Sequence, residues 1–285
     1  MKIKRARGGF EMISTVFIWM LSLSIFIGLI LLIYQMIGPG LSTINWNFFF
    51  DEPSRAGRAG GINSILISTL LILLICLSVA LPLGLATALF LNEMVSQKMG
   101  LQRQVRRSLD VLAGVPSIVF GLFGNALFCK YLGLGFSLLS GGLTLACMVL
   151  PILVRFIEIG LRSVPEHYRL SGSALALTKK TILLHIILPY AAPGVAVGLI
   201  LGIGRALAET AALIFTSGYV DRMPTSLFDS GRALSVHIYD LSMNVAGGET
   251  NAYKSIFVIM MALFILNTLA MGCTDLFLAR KVGRL

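Results

Sequence analysis

Arg205 and Glu209 stand near the middle of PYAAPGVAVGLILGIGRALAETAALIFTSG, residues 189–218, an apolar stretch long enough to cross a lipid bilayer. A charge at the centre of a membrane helix costs roughly 2.5–3.5 kcal/mol even on the mildest insertion scale, so such residues face a protein interior or a water-filled path. On a continuous helix, positions four apart share one face and lie within pairing reach. A second apolar stretch carries Arg155 and Glu158, three apart and again on one face. One reading is a pair of structural ion pairs that neutralise each other at helix interfaces. The other is oxyanion chemistry: a guanidinium is always charged and forks onto tetrahedral anions, with the carboxylates holding the arginines while the path is empty. Arg155, Glu158, Arg205 and Glu209 are therefore the candidate pathway residues.

The elements that must carry these residues are membrane helices. Hydrophobic residues make up 56% of the 285-residue chain and charged ones 13%, against roughly 25% charged in a soluble domain. The mean hydropathy of +0.88 agrees. That length holds about half a dozen spanning helices of roughly 20 residues each. Six apolar runs qualify, at 13–37, 62–91, 111–131, 138–159, 190–215 and 253–278. Pro82 in the second and Pro151 in the fourth are expected to bend their helices. The first run is too long for a signal-peptide core and lacks a small-residue cleavage site, so it reads as a retained anchor.

The formal net charge of +10 is spread in short groups between apolar runs, a topology signal rather than a nucleic-acid stripe. One side gathers Lys2, Lys4, Arg5 and Arg7, then Lys98, Arg103, Arg106 and Arg107, then Arg162, Arg169, Lys179 and Lys180, then Arg280, Lys281 and Arg284. The opposite loops mix Arg55, Arg58, Lys130, Arg222, Arg232 and Lys254 with acidic residues. The asymmetry puts both termini in the cytoplasm.

Two loops are long enough to carry structure. The cytoplasmic loop 162–189 contains HYRLSGSALALTKKTILLHIILP, whose apolar positions recur at helical spacing, so short helices along the inner membrane surface are expected. The external loop 216–252 is semi-apolar with mixed charges and reads as ordered and able to meet a partner. Nine small residues from Ala191 to Ala208 crowd the fifth run, chiefly for close helix packing.

Enzyme chemistry finds no foothold: the chain has no phosphate-binding loop ending in G-K-[ST], no H-E-x-x-H and no G-x-S-x-G. No cofactor or metal is expected. Cys76, Cys129, Cys147 and Cys273 stand singly, as packing residues. His167, His185 and His237 are far apart in sequence and read as surface or interfacial.

The loop 162–189 matches the spacing E-A-A-x(3)-G-x(9)-I-x-L-P of bacterial ABC importer permeases. With Ile186, Leu188 and Pro189 aligned, the E-A-A positions fall on Leu170, Ser171 and Gly172, and the glycine on Ala176. The tail matches and the head does not. The segments LAGVPSIVFGLFG, LPILVRFIE, IGRALAETAALIFTSG and ALSVHIYDLS resemble the PstA family of phosphate importer permeases, and the resemblance extends over about 60–277.

That resemblance implies an all-α integral membrane protein with six transmembrane helices, a type I ABC importer permease fold and a cytoplasmic coupling helix. Residues 1–60 would form a tail, first helix and external loop, and 61–285 the permease core with its coupling loop at 162–189. It also implies a PstC-like second permease, two PstB-like ATPases and a PstS-like phosphate-binding protein. In such permeases the arginines at the Arg155 and Arg205 positions are linked with phosphate passage. Arg169, Leu170, Ser171, Gly172, Ala174, Leu175, Ala176 and Leu177 would meet the ATPase. The charge chemistry alone leaves open sulfate or molybdate, an ATP-independent channel or transporter, and a scaffold.

Overall fold

The computed structural model describes residues 9–93 and 99–282. Lys2, Lys4, Arg5, Arg7, Lys98 and Arg284 lie outside that range, and the side chains of Cys273, Arg280 and Lys281 are also outside the described set. Among the described residues, five helices are long and apolar enough to span a membrane, and a sixth span exists if one bent pair is counted together. The first is α1 (Gly9–Thr43), followed by a short α2 (Asn47–Phe50) and a two-stranded hairpin, β1 (Pro53–Ser54) and β2 (Ala59–Gly60). Helix α3 (Asn63–Glu93) runs unbroken through Pro82, and α4 (Met99–Ala113) precedes α5 (Ser117–Gly124). Helix α6 (Leu138–Arg162), likewise unbroken at Pro151, leads into α7 (Glu166–Ala174) and α8 (Lys179–Ile182). Then come α9 (Leu188–Leu207), α10 (Ala211–Ile214), α11 (Leu234–Met243) and α12 (Glu249–Val282).

Helix α6 is the axis of the bundle. Leu145, Val149, Leu153, Ile157 and Leu161 recur every four residues and are all fully buried, forming a ridge between α3 and α9. In lipid this packing is driven by close contact rather than by escape from water, so small residues matter most. On α9 the facing strip is Gly194, Gly198 and Gly202. A Cβ on each would meet the Cα of Gly160, the Cβ of Phe156 and a methyl of Val149 at 2.5, 2.9 and 2.7 Å. The small residues of the fifth run thus serve helix packing, as expected.

Two spans differ from the hydropathy reading. The run 111–131 is not one helix: 111–113 end α4, and the helices on either side of Gly114, Val115 and Pro116 meet at 104°. Proline excludes its predecessor from helical conformation, and Pro116 itself is extended. The fifth span runs from 179 to 207, not 190 to 215. It passes through a wide π turn, Leu183–Ile187, just before Pro189, whose missing N–H and ring crowd the preceding turn. It ends at Leu207, and 208–210 are not helical.

The bundle has two distinct ends. At one lies α7, a short helix within loop 162–189 where short helices were expected, while α8 opens the fifth span. At the other, the ordered segment 216–248 carries α11, capped at its start by Thr69, whose hydroxyl accepts the Leu234 N–H at 2.9 Å.

Candidate functional site

Arg155 and Glu158 lie on a stripe of α6 at Pro151, Arg155, Glu158 and Arg162, spacing four, three and four, which is one helix face. That stripe lines a cavity of about 700 Å³ whose opposite wall is α4, with Arg106, Leu109, Asp110 and Ala113. Helix α4 is amphipathic: Val105 and Leu109 pack on the core while Arg103 and Arg107 are exposed.

Glu158 does not pair with Arg155. Its buried Oε1 accepts from Nη2 of Arg106 on α4 and from Nη2 of Arg162 at 2.8 Å, one turn on. Asn92 at the end of α3 joins them, accepting from Nε of Arg162 at 3.4 Å and donating to the Glu158 carbonyl at 3.5 Å. The carboxylate therefore ties α4 to α6, and Asn92 adds α3 through Arg162 and the Glu158 backbone carbonyl. Arg155 is exposed to the cavity and has no ion-pair partner among the described residues.

Arg205 and Glu209 are not brought together either. Arg205 is exposed in the last turn of α9 and is not among the cavity residues. Glu209 sits two residues past the helix end, so the four-residue face argument fails there. It is buried, and its Oε1 accepts the Ala212 N–H at 3.2 Å, capping α10, while its carbonyl accepts from the Ser235 hydroxyl at 2.6 Å. A buried chain break needs its polar groups satisfied, and these two bonds do so.

At the other end of α6, Arg169 donates to the carbonyls of Val164 and Leu161 at 3.3 and 3.4 Å, fixing α7 against the terminus of α6. Gly172 is buried against Ile182, where a Cβ would come within 2.8 Å. Ala174 and Ser171 are exposed, as are Leu170, Leu175 and Leu177. The α7 terminus is closed by Leu177 N–H to Gly172 O and Ala176 N–H to Ser173 O, at 3.1 and 3.0 Å, with Ala176 at φ +53°. This is the glycine-type helix stop, held here by alanine.

Sequence reasoning missed Arg106 and Arg162 as site residues, having read them as topology charges; the spacing of Arg162 from Arg155 and Glu158 was the available signal. It also misread His237. Rather than surface-facing, His237 is fully buried on α11 beneath Gly57, with Arg232 Nη1 3.4 Å from its Nδ1 and 3.1 Å from Asp240 Oδ2. Burial, then the Arg232 charge, push its pKa down to about 4, against the opposing pull of Asp240.

Residues 80–283 match the family described as "Binding-protein-dependent transport system inner membrane component". The chain belongs to that family. It is 30% identical over 216 residues to the probable ABC transporter permease protein YqgI of Bacillus subtilis, covering 71% of this chain and 73% of that one. It is 31% identical over 242 residues to the phosphate transport system permease protein PstA homolog of Mycoplasma pneumoniae, covering 80% of this chain but only 35% of that longer protein. In structure it resembles a bacterial ABC transporter involved in the import of the acidic polysaccharide alginate, with TM-score 0.65 at 17% identity over 91% of this chain and 95% of that one.

As a binding-protein-dependent permease, the chain has the type I ABC importer fold and is a multi-pass membrane subunit rather than an enzyme. ATP hydrolysis belongs to a partner. Membership displaces the readings of an ATP-independent channel and of a scaffold.

Proposed function

We propose that this permease carries inorganic phosphate inward, with Arg155 and Arg205 as transient holding points for the ion. The supporting observation is Arg155 itself, a guanidinium without a carboxylate partner that opens onto a cavity inside an importer permease. An uncompensated cation is costly in an apolar surround and is explained if an anion shares it in turn. The phosphate transport name of the Mycoplasma relative points the same way. Glu209 would act by shaping the chain beyond Arg205, and Glu158 by holding the wall of the cavity.

In this reading a PstC-like permease supplies the other half of the path, and a PstS-like protein delivers phosphate at the α11 end. Two PstB-like ATPases bind at the α7 end, the cytoplasmic one, where both termini lie. Residues 1–60 supply the tail, first helix and external loop, and 61–285 the permease core with its coupling loop at 162–189. Leu170, Leu175 and Leu177 enter the ATPase surface, flanked by Ser171, Ala174 and Ala176, while Arg169 and Gly172 keep α7 in place. Holding must be weak enough for release, so selectivity rests mainly with the delivering protein.

The decisive experiment is uptake of labelled phosphate by Arg205→Gln and Arg155→Gln variants, with assembly checked by copurification and sulfate and molybdate as competitors. Uptake is expected to fall at least tenfold. Normal uptake in an assembled variant would sink the pathway role, and preferential uptake of sulfate or molybdate would replace the substrate.

A further inference from the structure

The geometry points to a second oxyanion site in the cavity between α4 and α6, built from Arg106, Arg155 and Arg162, as the last station before release from the α7 end. The inference rests on Arg155 being a pathway residue, as proposed above.

Three guanidiniums and two carboxylates, Glu158 and Asp110, line this space. The excess of one positive charge stands between apolar walls that include Leu109, Ala113 and Ile152. Such walls keep the local dielectric low and focus the field on an incoming anion. Glu158 is buried, so its carboxylate acts from below: its bonds to Arg106 and Arg162 hold both heads at the cavity rim. Each guanidinium offers five N–H donors and spends only one or two on these contacts. Their side chains remain 42% and 55% exposed.

Spacing completes the argument. Arg155 and Arg162 are seven residues apart on one face of α6, about 10 Å along the axis. The contacts of Gly160 with Gly194 and of Phe156 with Gly198 put α9 antiparallel to α6. In that register Arg205 stands about seven residues further from the α7 end than Arg155, again roughly 10 Å. The arginines thus stand at nearly even levels along the bundle. A clamp alone would account for Arg106, Glu158 and Arg162, but not for the unpaired Arg155 facing the same space.

The test reads the potential of the cavity directly. In the assembled importer with its native cysteines replaced, Ala113→Cys places a thiol on the α4 wall, and Ile152→Cys gives an independent reading from α6. In inverted membrane vesicles, the thiol is labelled with anionic sulfonatoethyl and cationic trimethylammonioethyl methanethiosulfonates. Relative to a free thiol, the anionic reagent is expected to react about tenfold faster, the lower end of what a charge-lined cleft supplies. Tens of millimolar inorganic phosphate should slow it. Combining Arg106→Gln with Arg162→Gln should erase the preference and cut phosphate uptake severalfold, whereas the two Lys replacements, which keep the charge, should retain the preference.

A free-thiol ratio with the arginines present, or a preference unmoved by the double Gln change, would overturn the site even if phosphate uptake is normal. An arginine-dependent anion preference in a parent that takes up no phosphate would leave the site standing and remove the substrate instead.

Discussion

Gly194 of α9 approaches Gly160 of α6 so closely that a Cβ on Gly194 would lie 2.5 Å from the Gly160 Cα. Here two helix backbones touch, and the contact fixes the register by which Arg205 and Arg155 stand on successive levels of the bundle. It also makes the strip Gly194, Gly198 and Gly202 the part of α9 least tolerant of added volume.

Gly194→Val is accordingly expected to destabilise the purified protein by about 1–3 kcal/mol, the range for forced overpacking. Gly204→Ala is the control, because its nearest neighbour is a Leu263 methyl at an ordinary 3.8 Å. Thermal denaturation in detergent should lower the midpoint for the first and leave the second within a degree or two. Equal midpoints would mean that α9 does not seat on α6 through this strip.

The shared carboxylate of Glu158 predicts an asymmetry. Removing it with Glu158→Ala leaves Arg106 and Arg162 facing each other without compensation. Removing Arg106 with Arg106→Ala leaves Glu158 still paired to Arg162. Both arginines are half open to solvent, which discounts the energies. We expect a loss of about 1–2 kcal/mol for the first and under about 1 kcal/mol for the second. The reverse order in chemical denaturation would contradict the bridging role.

At the close of α7, Ala176 holds a left-handed conformation, φ +53°. An L-residue there costs roughly 1–2 kcal/mol, partly offset in the comparison by the greater freedom glycine loses on folding. Ala176→Gly should therefore raise stability by about 0.5–1 kcal/mol, seen as a higher midpoint and slower proteolysis of the 162–189 segment. A lower midpoint would show that the alanine side chain contributes packing that outweighs its backbone strain.

His237, on α11 outside the long spans, gives the pH dependence. Its folded pKa of about 4 lies below the ordinary 6.5, so the unfolded chain takes up a proton that the folded chain refuses. The contribution is complete above pH 6.5 and is lost as pH falls towards 4, at no more than about 1.4 kcal/mol per unit. Melting temperature followed from pH 7 to pH 4 should decline less steeply in His237→Asn than in the parent. Parallel curves would assign the acid sensitivity to other groups.

The spans were legible because apolar runs are long and their physics is simple. Where the sequence misled, the cause was local geometry or a distant partner. An apolar window runs straight across Val115 and Pro116, though that dipeptide is itself the signal for the 104° turn. Nothing in R-A-L-A-E-T announces a helix end; the break at 208–210 is held by Ser235, which is 26 residues away and donates to the Glu209 carbonyl. Arg106 looked like one more topology charge because its partner Glu158 is 52 residues distant. The altered E-A-A head looked like a loss, yet Ala176 keeps the left-handed turn that a glycine would supply without strain.

Helix α1 packs on α12, with Gly40 set against the backbone of Tyr253, and its long apolar surface is otherwise left largely uncovered by the described residues. Among the described residues, α1 therefore finds its main seat on a helix made much later. About 200 residues separate them, which at ordinary synthesis rates means roughly 10–40 s in lipid without that partner. Biogenesis must tolerate an unseated α1 for that interval, and a product truncated before α12 would lack that seat.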